Sequence, residues 1–133
     1  MRRRVAAAVA AALLVAAMVI GCDAQPSSEV TIRIHYSAFE PATVRVPAGE
    51  PVTITLVNDD PIDHEWIVGD EAVHEAHGTG THPAHDQLPT EVTVPALETR
   101  TTIVTFEAPG SYTFICHLPA HEAYGMVGVI VAG

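Results

Sequence analysis

Lysine is missing from this chain of 133 residues, whose six basic residues are all arginine, against 16 carboxylates. Three of the arginines lie within the first four residues, whereas every carboxylate follows residue 22. Without residues 1–21 the chain would keep three arginines and 16 carboxylates, a formal net charge of −13. Such a surface repels nucleic acid and anionic lipid headgroups, which excludes nucleic-acid binding. We expect it to attract a partner protein with a basic docking patch, at a rate that depends on salt.

Long apolar runs are also scarce, and the longest occupies residues 5–20, directly after three consecutive arginines. A membrane span needs roughly 20 residues, so this run better suits the apolar region of a secretory signal peptide. The run VIGC at residues 19–22 resembles the lipobox of bacterial lipoproteins. The resemblance implies a lipoprotein-type signal peptide over residues 1–21 and a lipid anchor on Cys22. An uncleaved anchor and an ordinary signal peptide cut elsewhere remain open. Each alternative exports the rest of the chain, and the lipobox implies anchoring on the outer face of the cytoplasmic membrane (periplasmic or cell surface).

Cysteine is also scarce, since the chain has only Cys22 and Cys116. If Cys22 carries lipid, Cys116 is the one remaining thiol and no disulfide can form within the chain. A lone thiol in an oxidising compartment is a liability unless it is buried or bound to metal. Cys116 is therefore a candidate metal ligand.

Two-residue alternation, in contrast, fills most of the chain after a short polar tether at residues 22–29. Val30, Ile32 and Ile34, for example, alternate with polar residues. Runs of this kind, rich in β-branched residues and closed by Pro, Gly or Asn-Asp, are typical of strands. The pattern predicts one all-β domain over residues 30–133, a Greek-key β-sandwich or barrel of seven to eight strands. We expect these strands near residues 30–35, 43–46, 52–57, 64–68, 92–94, 101–106, 111–116 and 126–131.

A His-rich insert at about residues 69–89 interrupts this pattern, because it is too long and too polar for a hairpin turn. We expect an inserted loop with one helical turn near residues 71–77. Two H-x-x-H pairs lie in it among acidic residues, and an i, i+3 pair on a helical turn can share a metal ion. A solvated acidic loop is the favoured interpretation, and a second metal site remains open for four histidines: His74, His77, His82 and His85.

Three soft metal ligands lie close together near the end of the chain, where Cys116, His121 and Met126 have the spacing C-x4-H-x4-M. Thiolate, imidazole and thioether suit copper rather than magnesium or calcium. In the strand expected before the loop, Tyr112 and Phe114 share a face with Cys116, which directs the sulfur toward the core. Two strands that hold such a loop would fix the ligand geometry before metal arrives.

A second imidazole is needed, and His64 is the best candidate. Alternation places His64 and Trp66 on the core face of one strand, and Asn58 should also point inward. A buried Asn needs hydrogen-bond partners, so we expect Asn58 to tie the His64 loop to the Cys116 loop. The alternative is that the segment at residues 58–61 is only a turn and that His64 ends a strand without binding metal.

Together these residues resemble the cupredoxins, the plastocyanin and azurin group of type 1 copper proteins, over residues 30–133. The resemblance implies an eight-stranded Greek-key sandwich that binds one type 1 copper ion. It implies His64, Cys116 and His121 as in-plane ligands and Met126 as the long axial ligand. It also implies that the backbone N–H of Glu65 donates a hydrogen bond to the ligand sulfur.

His117, which follows the candidate cysteine ligand, departs from the family pattern. Alternation directs its side chain away from the copper. We favour an exposed histidine at a strand end, and a place on an electron exit route remains open.

The resemblance implies a monomeric one-electron carrier rather than an enzyme, with a redox protein as its partner and no catalytic residues. The alternative is a copper-binding or delivery protein that uses the His-rich insert without redox cycling.

Overall fold

Two β-sheets packed face to face make up most of the computed structural model, which describes residues 25–78 and 87–133. The alternation seen in the sequence becomes alternating burial, as in the third and fourth strands, whose apolar residues point into the sandwich. The mostly β fold predicted from the sequence is thus confirmed. The elements are β1 (Glu29–His35), β2 (Ala38–Glu40), β3 (Thr43–Val46), β4 (Pro51–Asn58), β5 (His64–Gly69), α1 (Glu71–Gly78), β6 (Glu91–Val94), β7 (Thr99–Thr105), β8 (Gly110–Ile115) and β9 (Val127–Ala132).

In both sheets the spatial order of the strands differs from their order in the chain. One sheet has the order β2-β1-β4-β7 and the other the order β3-β9-β8-β5-β6. β1 pairs with β4 in parallel and β3 pairs with β9 in parallel, whereas the other pairings are antiparallel. As a result β5 and β8, which flank the candidate copper ligands, lie side by side.

The part of the chain that the structure describes has nine strands, one more than the upper expectation. The additional strand is β2, a three-residue edge strand joined to β1 by Tyr36 and Ser37. Both turn residues have positive φ, 52° and 54°. Such turns usually carry Asn or Gly, so the sequence lacks the usual signal for this hairpin.

Aromatic residues fill the core between the sheets. Trp66 and Phe114 are fully buried with ring centroids 6.0 Å apart, and Phe39 meets Phe114 edge-on at 5.0 Å. Gly128 leaves room for this packing, since a Cβ there would lie 2.1 Å from the Phe114 ring. The packed core supports β8 directly behind Cys116.

The insert has a helix where the sequence predicts a helical turn, near residues 71–77, but α1 is longer than one turn, with eight residues. Asp70 caps it, with its Oδ1 accepting a hydrogen bond from the backbone N–H of Val73 at 3.1 Å. A carboxylate at this position satisfies an orphan N–H and suits the helix dipole. The helix covers one end of β5. His82 and His85 lie outside the described residues.

The predicted signal peptide and Cys22 also lie outside the described residues. Within residues 25–78 and 87–133, no helix is long and apolar enough to span a membrane.

Candidate metal centre

The four candidate copper ligands lie on two loops held by strands. His64 is the first residue of β5, Cys116 directly follows β8, and Met126 directly precedes β9. His121 lies in the turns between β8 and β9. The backbone N–H of Cys116 donates to the carbonyl oxygen of Met126 at 3.2 Å, and the N–H of Met126 donates to that of His121 at 3.0 Å. The ligand loop is therefore closed by its own backbone.

Three ligand atoms converge at this end of the sandwich. The Nδ1 atoms of His64 and His121 are 3.3 Å apart, and the Sγ of Cys116 lies 3.3 Å from Nδ1 of His121. All three atoms lie within 4.8 Å of one another. The side chains of His64, Cys116 and Met126 are fully buried, whereas His121 is partly exposed.

This donor set fits copper. Metal–nitrogen and metal–sulfur bonds of about 2.0–2.3 Å let one ion reach three atoms at these separations. One thiolate and two imidazoles with a thioether nearby make up a type 1 copper site. His64, Cys116, His121 and Met126 thus form the site that the sequence predicts.

Asp60 orients His64, and sequence reasoning did not find it. Its Oδ2 lies 3.0 Å from Nε2 of His64, and its two oxygens accept the backbone N–H groups of Tyr36 and Ser37, each at 2.8 Å. The carboxylate accepts a hydrogen bond from Nε2–H and leaves Nδ1 of His64 free for metal, as outer-sphere carboxylates commonly do. The feature of the sequence that could have identified Asp60 was its position four residues before His64.

The pKa values of the two residues in this contact, Asp60 and His64, are both lowered. Burial raises the pKa of Asp60, but hydrogen bonds from Ser37, Tyr36 and His64 outweigh it and hold that pKa below its usual value. Burial lowers the pKa of His64, and the opposing bond to Asp60 does not cancel it. The lowered pKa favours the neutral ring of His64, which is the form that binds metal.

The Cys116 sulfur accepts a hydrogen bond from the backbone N–H of Glu65 at 3.3 Å, the bond that the resemblance implies. Burial raises the pKa of the Cys116 thiol, and this hydrogen bond opposes the shift only in part. Copper binding must consequently displace a proton, because the ligand is the thiolate.

Asn58 is buried as expected, but it joins different segments from those predicted. Its Nδ2 contacts the carbonyl oxygens of Ile62, Val94 and Pro95 at 2.8–3.0 Å, and its Oδ1 accepts the N–H of Asp60 at 2.9 Å. These bonds connect the His64 loop with the end of β6 rather than with the Cys116 loop. Alternation correctly predicted that the Asn58 side chain points inward, but its hydrogen-bond partners depend on the order of strands in the sheets.

His117 is not the exposed histidine that the sequence favours. Its side chain is only 4% exposed, because α1 covers it from outside the sandwich. Its Nε2 lies 3.0 Å from Nδ1 of His74, and its ring stacks on His77 with centroids 5.7 Å apart. A role in electron exit stays a prediction.

His77 does not point toward His74, as a metal site shared by the pair, which the sequence left open, would require. Its Nδ1 donates to the carbonyl oxygen of Val73 at 2.8 Å, within the same helix. Its Nε2 lies 3.7 Å from a carboxylate oxygen of Glu91, and the residue is buried. Within the part of the chain that the structure describes, His74 thus lies beside His117.

A β-sandwich with buried cysteine, two histidines and methionine at one end is the architecture of a type 1, or blue, copper protein. The family model described as "Cupredoxin-like domain" matches residues 5–132. The chain belongs to this family.

Relatives of known name support the assignment. The copper-resistant cuproprotein CopI of Rubrivivax gelatinosus is 34% identical over 107 residues, 76% of this chain and 65% of that protein. The chain thus spans slightly less than two thirds of this relative. Auracyanin-A of Chloroflexus aurantiacus is 34% identical over 113 residues, 71% of this chain and 70% of that protein.

Solved structures share the fold. Reduced auracyanin from Roseiflexus castenholzii has a TM-score of 0.70 at 24% identity, over 82% of this chain and 99% of that one. Auracyanin A, a "blue" copper protein from Chloroflexus aurantiacus, has a TM-score of 0.62 at 26% identity, over 82% of this chain and 100% of that one. The first of these likenesses concerns the fold alone.

Proposed function

We propose that this blue copper protein is a one-electron carrier that works outside the cytoplasmic membrane. The observation that carries the proposal is the convergence of three ligand atoms, from His64, Cys116 and His121, within 4.8 Å of one another on loops fixed by strands. Bound copper supplies a couple between its +1 and +2 states. Rigid ligands suit both states, because little has to move when the charge changes.

The surface around His121 supports a docking role. His121 is the most exposed of the four ligands, so an electron would pass at its edge. Four apolar side chains with relative exposures of 47–85% lie on loops that flank the site: Tyr36, Ile62, Leu97 and Tyr124. An exposed apolar patch of this kind favours transient protein contacts. The partner we propose is a redox protein that meets this patch and carries basic groups around it.

The direction of β1 supports attachment through the N-terminus. β1 begins at Glu29, and the residues after it, Tyr36 and Ser37, bind Asp60 beside the copper site. Seven strand residues span about 20 Å, so the proposed tether enters at the end away from the copper. A monomer with lipid on Cys22 would thus present the copper end to a partner. This arrangement is part of the proposal, as are the signal peptide and export.

No catalytic reaction is part of this proposal. The named relatives are described as a cuproprotein and a "blue" copper protein. An oxidase-type two-copper centre would need a second cysteine in the ligand loop, and residues 117–126 contain none.

Copper delivery or resistance is the second candidate function, and the match to a copper-resistant cuproprotein favours it. A delivery protein would pass its copper to an acceptor, whereas a carrier keeps the ion and exchanges only electrons. Transfer of copper to an apo acceptor, measured together with the reversibility of the redox couple, separates these two functions.

Replacing Cys116 by Ser tests the site and the proposal together. We expect the Cys116→Ser variant to lose the intense visible absorption of the copper-loaded protein, because that absorption requires a copper–thiolate bond. The wild type should show one reversible redox couple per bound copper in voltammetry. A strong blue band in the variant would contradict the ligand assignment. A blue but electrochemically irreversible wild type would contradict the carrier function.

A further inference from the structure

A second pair of imidazoles lies on the outer face of the sheet, between α1 and the end of β8. Nδ1 of His74 and Nε2 of His117 are 3.0 Å apart, closer than the 3.3 Å between the two histidine ligands of the blue site. Two nitrogens bound at about 2.0–2.1 Å to one metal, about 90° apart, are separated by about 3 Å. The pair therefore has the spacing of adjacent ligands on a single ion.

A hydrogen bond orients the ring of His74, and a nearby carboxylate faces the ring of His117. Nε2 of His74 lies 3.3 Å from the carbonyl oxygen of Thr113. Because a carbonyl only accepts, His74 carries its proton on Nε2 and presents an unprotonated Nδ1 to His117. The other nitrogen of His117, Nδ1, lies 3.8 Å from a carboxylate oxygen of Glu122, which can hold the proton when Nε2 binds metal. Metal-binding histidines are commonly oriented in this way, as His64 is by Asp60.

Carboxylates complete the surroundings. The two histidines line a surface cleft of about 450 Å³ together with Glu71, Glu75, Gly78 and Glu122. The three acidic groups in this lining attract a cation to the cleft. His77 stacks on the His117 ring and holds it in place, while its own nitrogens face Val73 and Glu91.

We propose that His74 and His117 form a second copper site, which binds one Cu²⁺ ion with carboxylate oxygens from the cleft. Nitrogen and oxygen ligands in tetragonal geometry favour Cu²⁺ among the divalent ions. The site is distinct from the blue site, since it has no thiolate and lies on the other face of the sheet. One peptide bond, between Cys116 and His117, joins the two sites.

Copper titration of the full chain tests this site. A first equivalent fills the blue site and is followed by visible absorption. A second equivalent of Cu²⁺ should bind without added blue absorption and give an EPR signal with hyperfine coupling to two imidazole nitrogens. Elemental analysis should then find two copper ions per chain. Failure to retain the second ion, or retention of Zn²⁺ in its place from an equimolar mixture, would overturn the proposal.

Two variants identify the ligands. His74→Ala should weaken binding of the second ion more than about 100-fold, since loss of an outer-shell partner alone costs about 10- to 100-fold. The blue band should remain, which shows that the variant is folded and that the first site is intact. His117→Ala should behave in the same way. If the blue band is lost in His117→Ala, His74→Ala still decides the question, because His74 lies on α1 and not beside Cys116 in the chain.

The matched control is the double variant His82→Ala/His85→Ala, which removes the other two histidines of the insert. It should keep the second ion with unchanged affinity. Loss of the second ion in this control, with retention in His74→Ala, would overturn the assignment and place copper capture in the rest of the insert. A wild type without a blue band would defeat the proposed function but leave this test readable through the EPR signal.

Discussion

At the scale of single residues, Asp60 connects a sheet edge with the copper site. One buried carboxylate accepts hydrogen bonds from Tyr36, Ser37 and His64. It thereby stabilises a turn with two positive φ angles and fixes which nitrogen of His64 faces copper. The shape of a sheet edge and the geometry of a metal ligand depend on the same side chain.

Replacing Asp60 by Asn tests this role. The amide has one accepting oxygen instead of two, so at least one donor loses its partner at a buried position. We expect about 1–3 kcal/mol loss in the free energy of unfolding and about 10- to 100-fold weaker copper binding. Denaturant titration of the apo protein and copper competition measure the two effects.

Asp63→Asn is the matched control in the same loop, because Asp63 accepts the N–H of Ala96 and does not bond His64. Equal losses of copper affinity in the two variants would show that Asp60 has no special role in holding the ligand.

The ligands could be predicted because each lies in a local pattern. Cys116, His121 and Met126 belong to one motif between two strands, and alternation gave His64 its inward direction. Asp60 and the contact between His74 and His117 could not be predicted, since they join segments that only the folded chain brings together. The local sequence predicts which way a side chain points, whereas the residues that it contacts depend on the order of strands in the sheets.

At the scale of elements, the close approach of α1 to β5 decides where His74 lies. A Cβ on Gly69 would be 2.5 Å from Cβ of Val73 in α1, a distance that would force one of the two elements to move. The glycine at the end of β5 therefore sets the separation between helix and sheet. Sequence periodicity did not give the full length of α1 beyond the one turn expected there, because histidines and acidic residues gave it no clear apolar face.

We predict that Gly69→Ala displaces α1 and destabilises the protein by about 1–3 kcal/mol, as overpacking does. The blue band should remain, because α1 carries none of the ligands of that site and His64 lies at the opposite end of β5 from Gly69. Thermal unfolding and visible spectra measure both effects. Gly133→Ala is the control, since no atom lies within 4 Å of a Cβ at that position, and it should change neither. A stability equal to that of the wild type in Gly69→Ala would contradict the packing described here.

At the scale of the whole molecule, a strongly acidic chain carries exposed apolar residues near its copper end. The chain after residue 21 has 16 carboxylates and three arginines, and exposed apolar residues such as Leu97 and Tyr124 flank the copper end. With the proposed basic partner, charge at a distance would accelerate the encounter, and apolar contact would then form a short-lived complex.

Electron transfer to a basic redox protein should therefore slow as salt increases. Between about 0.01 M and about 0.15 M ionic strength the Debye length falls from about 30 Å to about 8 Å, and we expect the bimolecular rate to fall about tenfold or more. Stopped-flow absorption of the blue band measures the rate. An uncharged small oxidant serves as the control and should show little dependence on salt. A rate with the basic protein that rises with salt would contradict the prediction.

The parallel pairing of β1 with β4 also has a mechanical consequence. Six residue pairs join these strands, from Glu29 with Thr53 to Ile34 with Asn58, and β1 is further flanked by β2. Tension on the chain just before Glu29 would act along β1 and load these hydrogen bonds in shear, all together, instead of opening them one at a time. A protein held by its N-terminus would consequently resist being pulled apart while its copper end engages and releases partners.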